Sequence, residues 1–363
     1  MARGRGQKRD ERAPVKEKPA KRRRDASPDG AAFRAKAEPR GGDKADAPVA
    51  ERERIAVEAA TGERPTLRAP VILTVEPTED YALLDSGEGE KLERYGPLTI
   101  RRPENQAIWP RRSASSTWER ADAIFTGDVD EEGAGRWRFS GEALGETWPL
   151  AYDGIAFHGR FTSFRHTGVF PEQAAHWRFV EEAIASAGRP VRLLNLFGYT
   201  GLASLVAARA GAEVTHVDAS KKAIGWAREN QALADMEKAP IRWICEDAVR
   251  YCEREIKRGN SYDAILLDPP KFGRGPKGEI WQIMEDLPYL LALTRMLLSK
   301  SPLLTILTAY SIRSSFYSIA ELMREEFRGL GGGIEAGELV IAEEGADSRL
   351  LSTSLFARWT AHP

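Results

Sequence analysis

From residue 190 onward the chain alternates short apolar runs with amphipathic stretches, and no other feature restricts its fold as much. Apolar runs over 191–196, 213–218, 241–245, 264–268 and 303–308 predict strands, and the stretches 202–210, 221–233, 248–257, 280–298 and 316–327 predict helices. Five consecutive β-α units bury their apolar faces by forming a parallel sheet with helices on both sides. Two further runs, near 338–342 and 349–358, have no helix between them. They predict a hairpin that makes one strand near the sheet edge antiparallel. The expected fold class is α/β, a Rossmann-like, mostly parallel sheet of seven strands. No internal repeat is visible.

The preceding residues divide in two. Residues 67–160 carry short apolar runs at 71–75, 81–87, 98–100, 136–139 and 155–157 between glycines and prolines, which predicts a small β-rich domain. Trp109, Trp118, Trp137 and Trp148 fall here and read as core. The alternative is a basic-aromatic RNA surface, in which Arg101, Arg102, Arg111 and Arg112 flank Trp109. Residues 1–66 have almost no aromatics and no periodicity, so ordering them costs more entropy than burial returns, and a disordered tail is expected. The remainder, 161–363, is the α/β domain.

Charge is unevenly placed. The first fifty residues hold 15 Lys and Arg against 8 Asp and Glu, and the rest hold 38 against 46. A basic tail on an acidic body points to an anionic partner, nucleic acid first, or else to a solubilising tail. Two cysteines, Cys245 and Cys252, supply neither a disulfide framework nor a zinc cluster, which suggests a reducing, cytoplasmic compartment. No apolar run reaches the length of a membrane helix, and the basic N-terminus lacks the apolar block of a secretory signal. His158, His166, His176 and His216 lack metal-ligand spacing, so no metal is expected. Nothing in the sequence fixes an oligomeric state.

In an open α/β sheet a ligand lies over the carboxyl ends of the strands. The first strand runs into Asn195-Leu196-Phe197-Gly198-Tyr199-Thr200-Gly201, whose glycines permit a tight turn into a helix N-terminus, with or without a ligand. The second ends at Asp218, twenty residues after Gly198, a spacing that suits a carboxylate on ribose hydroxyls. The third ends Cys245-Glu246-Asp247, and Asp247 suits an adenine amine. Either aspartate also serves as a plain helix N-cap. The Gly-x-Gly-x-x-Gly fingerprint of a dinucleotide site is absent, because Leu196 stands two residues before Gly198. The fourth strand ends in Asp268-Pro269-Pro270-Lys271-Phe272, where two prolines lock an extended backbone and leave carbonyls as aimed acceptors. Phe272 is placed to lie on a planar base. The following 273–278 reads as a mobile loop, whose Arg274 and Lys277, with Lys271, either touch phosphate or are simply solvated.

This set of motifs resembles class I S-adenosylmethionine-dependent methyltransferases. More narrowly it is similar to the large-subunit (23S) ribosomal RNA methyltransferase family with the Asp-Pro-Pro-Lys motif, whose members modify cytosine C5 or guanine N7. The segment 161–173 resembles the lid that precedes the cofactor domain there, and the likeness covers about 160–360. The resemblance implies S-adenosyl-L-methionine held by Phe170 and Gln173 of the lid. It adds Asn195, Phe197, Gly198, Tyr199, Thr200 and Gly201 of the first loop, and Asp218, Ser220 and Asp247. It implies that Asp268, Pro269, Pro270, Lys271 and Phe272 face the reacting centre. Residues 67–160 do not resemble the small RNA-binding domain of the cytosine-modifying members.

Cytosine C5 is a poor nucleophile, and its methylation begins with a thiolate on C6. In the cytosine-modifying relatives that cysteine follows the fifth strand. Here the fifth strand runs into Ala309-Tyr310-Ser311-Ile312-Arg313, and Cys245 and Cys252 flank a different helix and read as packing residues. The expected function is therefore methyl transfer to a base nitrogen of ribosomal RNA. The rivals are a methyltransferase for a protein or small molecule, a nicotinamide-dependent oxidoreductase, and a non-catalytic RNA-binding protein on the same fold.

Overall fold

A computed structural model of the chain describes residues 54–127, 135–141, 144–310, 312 and 314–362. The tail expected over 1–66 lies mostly outside them. Its last part, 54–65, is a strap on the α/β unit and corrects the expected boundary. The Arg54 guanidinium sits 2.6 Å from Asp286 and 4.7 Å over the Tyr289 ring, and Arg64 pairs with Glu321 and Glu325.

β1 (Thr66–Val75) follows, and it belongs to the large sheet, not to the small domain. The small domain begins at β2 (Tyr81–Gly87), continues through β3 (Glu90–Tyr95), β4 (Leu98–Pro103), helix α1 (Ser115–Glu119) and β5 (Ala123–Gly127), and closes its five-stranded sheet with β6 (Gly135–Phe139). The hairpin β7 (Thr147–Tyr152) and β8 (Ile155–Arg160) packs beside it. Trp118, Trp137 and Trp148 are core. The surface around Trp109 is internally neutralised. Arg101 and Arg111 pair with Glu90, Arg102 with Glu93 and Arg112 with Asp347, while the Trp109 indole donates to the Ser86 carbonyl at 3.0 Å. Four guanidiniums already matched by carboxylates do not form an open phosphate surface.

The α/β unit runs α2 (Ala174–Ser186), β9 (Val191–Leu196), α3 (Leu202–Arg209), β10 (Ala212–Asp218), α4 (Lys221–Leu233), β11 (Ile241–Cys245), α5 (Ala248–Lys257) and β12 (Ala264–Leu267). A short hairpin, β13 (Phe272–Arg274) and β14 (Ile280–Gln282), replaces the expected loop and the first turn of the expected helix. Then come α6 (Ile283–Leu297), β15 (Leu304–Tyr310), α7 (Phe316–Glu326), β16 (Gly333–Ala342) and β17 (Leu350–Thr360). The sheet order is β1-β16-β17-β15-β12-β9-β10-β11. The seven expected strands are present, with β17 antiparallel to both neighbours, and β1 adds an eighth, parallel to β16.

Central strands β9, β12 and β15 are buried on both faces, which is why they read as unbroken apolar runs. One face packs on Tyr251, Leu287 and Ile319 of α5, α6 and α7, the other on Val180 and Ala207 of α2 and α3. The small domain shares its core with the second face, where Trp148 and Phe161 join Trp177, Leu205 and Val206. The relation of the two units is therefore fixed by a continuous apolar core.

β1 approaches β16 so closely at one point that only glycine fits. A Cβ on Gly337 would lie 1.8 Å from the Val71 carbonyl oxygen. Gly337→Ala should destabilise the protein by about 1–3 kcal/mol in denaturant titration, because backbone, not a side chain, must yield. An unchanged midpoint would show that β1 does not dock there.

Candidate active site

The loop after β9 is built from conformations that cost energy. Phe197, Tyr199 and Gly201 adopt φ of 59°, 51° and 86°. Two of these are not glycine, and strain of this kind persists only where surroundings impose it. The Gly198 N–H donates to the Val217 carbonyl at 3.2 Å and the Gly201 N–H to the Gly198 carbonyl at 3.1 Å. The Tyr199 N–H donates to Asp218 Oδ2 at 2.9 Å, and the Thr200 hydroxyl to the Gly168 carbonyl at 2.7 Å. Gly198 is glycine because a Cβ would stand 2.3 Å from the His216 ring. The Asn195 amide is turned inward, donating to Ser204 Oγ at 2.9 Å. With the amides of Gly198, Tyr199 and Gly201 engaged inside the protein, the loop does not offer the ring of free N–H groups that a pyrophosphate needs, which argues against a dinucleotide.

Asp218 ends β10 and clamps two loops. Its second oxygen accepts the Ser220 N–H at 2.8 Å, and Ser220 in turn caps α4 by accepting from the Ala223 N–H. Each carboxylate oxygen keeps a lone pair for a further donor. Burial raises the Asp218 pKa, against the pull of those two backbone donors. Asp247 caps α5 through the Arg250 N–H at 3.1 Å and also lines the cleft, so the capping and ligand-facing readings coexist.

Asp268 ends β12. The Trp281 indole donates to the Pro270 carbonyl at 2.7 Å, so that carbonyl, expected to stay open, is taken and the Pro-Pro turn is fixed. Phe272 is 41% exposed at the start of the hairpin, with the Arg274 guanidinium 6.0 Å from its ring centroid. Gln173 Nε2 donates to Asp268 Oδ2 at 3.1 Å and to the Tyr310 hydroxyl at 3.0 Å. Asp268 Oδ1 is buried without a hydrogen-bond partner. Burial and the Glu172 charge push the Asp268 carboxyl well above the usual range. Phe170 closes the lid side, its ring 5.6 Å from that of Tyr199 and 5.2 Å from that of Tyr310.

These groups surround a cleft of about 790 Å³ at the carboxyl ends of the strands. Phe170, Phe197, Tyr199, Asp218, Ser220 and Asp247 line it, as do Asp268, Pro269, Pro270, Lys271 and Phe272. Gln173, Asn195, Gly198 and Thr200 instead border a void of about 60 Å³ beneath the loop. Gly201 borders neither, and a Cβ there would stand 2.9 Å from the Ala227 Cβ and 3.0 Å from the Trp243 ring. Sequence reasoning missed Glu172, Trp226 and Tyr310, and it missed Lys91 and Arg102, which the small domain contributes to the cleft wall. Tyr310 was open to the same strand-end rule, one strand further along. Among the described residues no cluster of three metal-ligating side chains occurs, and no helix is long and apolar enough to cross a membrane.

The residues fit S-adenosylmethionine. The cleft exceeds one nucleoside in size, Asp218 retains acceptor capacity at the second strand end, and Asp268, which lines the cleft, carries an unpartnered buried acceptor in Oδ1.

Comparison with known proteins places this geometry. The profile of the S-adenosylmethionine-dependent methyltransferase family matches residues 110–326. The crystal structure of the SAM-dependent methyltransferase from Agrobacterium tumefaciens is 58% identical with a TM-score of 0.81, covering 85% of this chain and 100% of that one. The ribosomal RNA large subunit methyltransferase K/L of Shewanella sp. (strain MR-4) is 35% identical over 149 residues, 40% of this chain and 20% of that protein. The protein of the same name from Cellvibrio japonicus is 28% identical over 243 residues, 64% of this chain and 29% of that protein. The chain thus spans less than a third of the length of these curated relatives. On the family match and the cleft together, the chain belongs to the S-adenosylmethionine-dependent methyltransferase family and uses S-adenosylmethionine as its cofactor.

Proposed function

We propose that the enzyme methylates a base nitrogen of ribosomal RNA. The observation that carries this reading is Asp268 Oδ1, a buried acceptor without a partner on a rigid Asp-Pro-Pro turn, with the exposed Phe272 beside it. The match to proteins named ribosomal RNA methyltransferases supports the substrate class. S-adenosylmethionine, when bound, supplies a methyl already activated on a sulfonium, so the chain's own work is positioning. In this reading Phe272 stacks on the base, and Asp268 Oδ1 would accept an N–H of an exocyclic amine and take its proton as the nitrogen–methyl bond replaces the sulfur–methyl bond, leaving S-adenosylhomocysteine. A ring nitrogen needs the stacking alone. Asp218 and Asp247 hold the two hydroxyls and the adenine. Lys271 and Arg274, exposed on the cleft wall, suit the phosphates of the strand.

Neither cysteine lines the cleft among its described residues, and a C5 mechanism lacks its nucleophile. Cys252 is buried, as expected, but Cys245 is exposed, with its thiol toward the Ala219 carbonyl. Burial raises the pKa of both thiols, so neither is a ready thiolate. Cys245→Ser and Cys252→Ser should keep activity within about threefold. Mass spectrometry of ribosomal RNA from cells with and without the gene should show one N-methylated base lost. A loss of 5-methylcytidine, abolished by either serine, would overturn the reading.

The basic tail adds to this proposal. Removing residues 1–53 should leave S-adenosylhomocysteine affinity unchanged and give weaker RNA binding with a shallower salt dependence. An unchanged salt slope would leave the tail without an RNA role.

A further inference from the structure

The Asp268 carboxylate does not stand alone. Gln173 uses both protons of its amide nitrogen, one on Asp268 Oδ2 and one on the Tyr310 hydroxyl oxygen. The Tyr310 oxygen is then an acceptor toward Gln173, which leaves its own proton for another acceptor, with the Glu172 carboxyl close by. Gln173 thus donates to both Tyr310 and Asp268. Glu172 is 6% exposed and Gln173 9%, both on the short turn that opens α2, while Tyr310 ends β15. Among the described residues no donor meets Asp268 Oδ1, which is buried although Asp268 lines the cleft.

We propose that Gln173 and Tyr310 are positioning residues, which with Glu172 hold Asp268 in one orientation as a proton acceptor facing the methyl acceptor. That Asp268 faces the acceptor rests on the function proposed above. The arrangement is a balance. Burial and the Glu172 carboxylate oppose charge on Asp268, and the Gln173 N–H favours it. Other ionisable groups face this cluster. Burial raises the Glu172 pKa, helped by the Glu93 carboxylate and opposed by Lys91 and Arg102 of the small domain, Tyr310 lies against both carboxyls, and the unpartnered, buried His176 borders the same small void as Asp268. Burial holds the His176 pKa near 3, so it stays neutral and does not compete for the proton.

The two neighbours of Asp268 then act in opposite directions. Gln173→Leu removes the N–H that favours the charged carboxyl, so its pKa rises and the acid limb of activity moves to higher pH. Glu172→Gln removes the opposing charge, so the pKa falls and the limb moves to lower pH. Tyr310→Phe leaves Gln173 with one anchor and should lower kcat while leaving KM for the donor unchanged.

The test does not need the RNA. In protein labelled with ¹³C at the aspartate carboxyls and saturated with S-adenosylhomocysteine, Asp268 is assigned by its disappearance in Asp268→Asn and titrated by NMR. Its midpoint should rise in Gln173→Leu and fall in Glu172→Gln, each by about one unit. Binding of S-adenosylhomocysteine reports that each variant is folded. A midpoint indifferent to both substitutions, or moved the same way by both, overturns the proposal. Failure of ribosomal RNA to accept methyl groups would sink the proposed substrate and leave this titration standing.

Discussion

Asp268→Ala should lower methyl transfer by about 10²–10³-fold while S-adenosylhomocysteine affinity stays within a factor of about three. The carboxyl is buried at the cleft wall, one oxygen is held by Gln173 and the other has no partner, so in the proposed reading its removal takes away an interaction aimed at the reacting centre. An interaction of that kind appears in kcat, not in ground-state binding. Asp268→Asn is the sharper probe. If its amide nitrogen faces Gln173, two donors oppose each other. If it faces the cleft, a donor replaces the open acceptor. Either rotamer loses one contact, so Asn should fall between wild type and Ala. Single-turnover kinetics with donor saturating would check both variants. An alanine enzyme with wild-type turnover would remove Asp268 from the chemistry.

Asp218→Ala should weaken S-adenosylhomocysteine binding by roughly 10²–10³-fold. Two effects add. The hydroxyl contacts proposed for the cofactor are lost, and so are the acceptors for the Tyr199 and Ser220 N–H groups. The second loss releases a loop held with Phe197 and Tyr199 at positive φ, so the site is no longer preformed. Asp218→Asn keeps one acceptor and should lose less. Because burial raises the Asp218 pKa, the charged form exists only above that raised value. Affinity should therefore fall on acidification earlier than an ordinary carboxylate would dictate. Calorimetry across pH measures both effects. An Asp218→Ala protein that binds normally would refute the assignment.

The parts of the site legible in the sequence are those made by local chemistry at a strand end. Gly198, Asp218, Asp247 and Asp268 each follow an apolar run, and the parallel topology brings the ends of those runs to one edge. The small domain's contribution was not legible. Lys91 and Arg102 reach the cleft only because two units dock through Trp148, Phe161, Trp177 and Leu205, contacts that no local pattern encodes. The hairpin at 272–282 read as a loop because its Gly-rich, cationic turn has the composition of one. Its order comes from Trp281, which buries its ring and donates to Pro270. β1 alternates exposed and half-buried residues, as an edge strand of either sheet would, and its true partner lies some 260 positions away in the chain.

That last pairing bears on how the enzyme is made. β1 is translated well over 200 residues before β16, so at about 5–20 residues per second the first strand waits roughly tens of seconds for its neighbour. Arg68 and Pro70 stand on this waiting edge, a charge and a missing donor that discourage pairing with another chain. The matched family span, 110–326, contains neither β1 nor the β16–β17 pair. A chain trimmed to that span would lose three of eight strands and lay bare the flank of β15. The residues proposed to be catalytic would all be retained, on a sheet unable to complete itself, and such a fragment should be recovered from cells as aggregate.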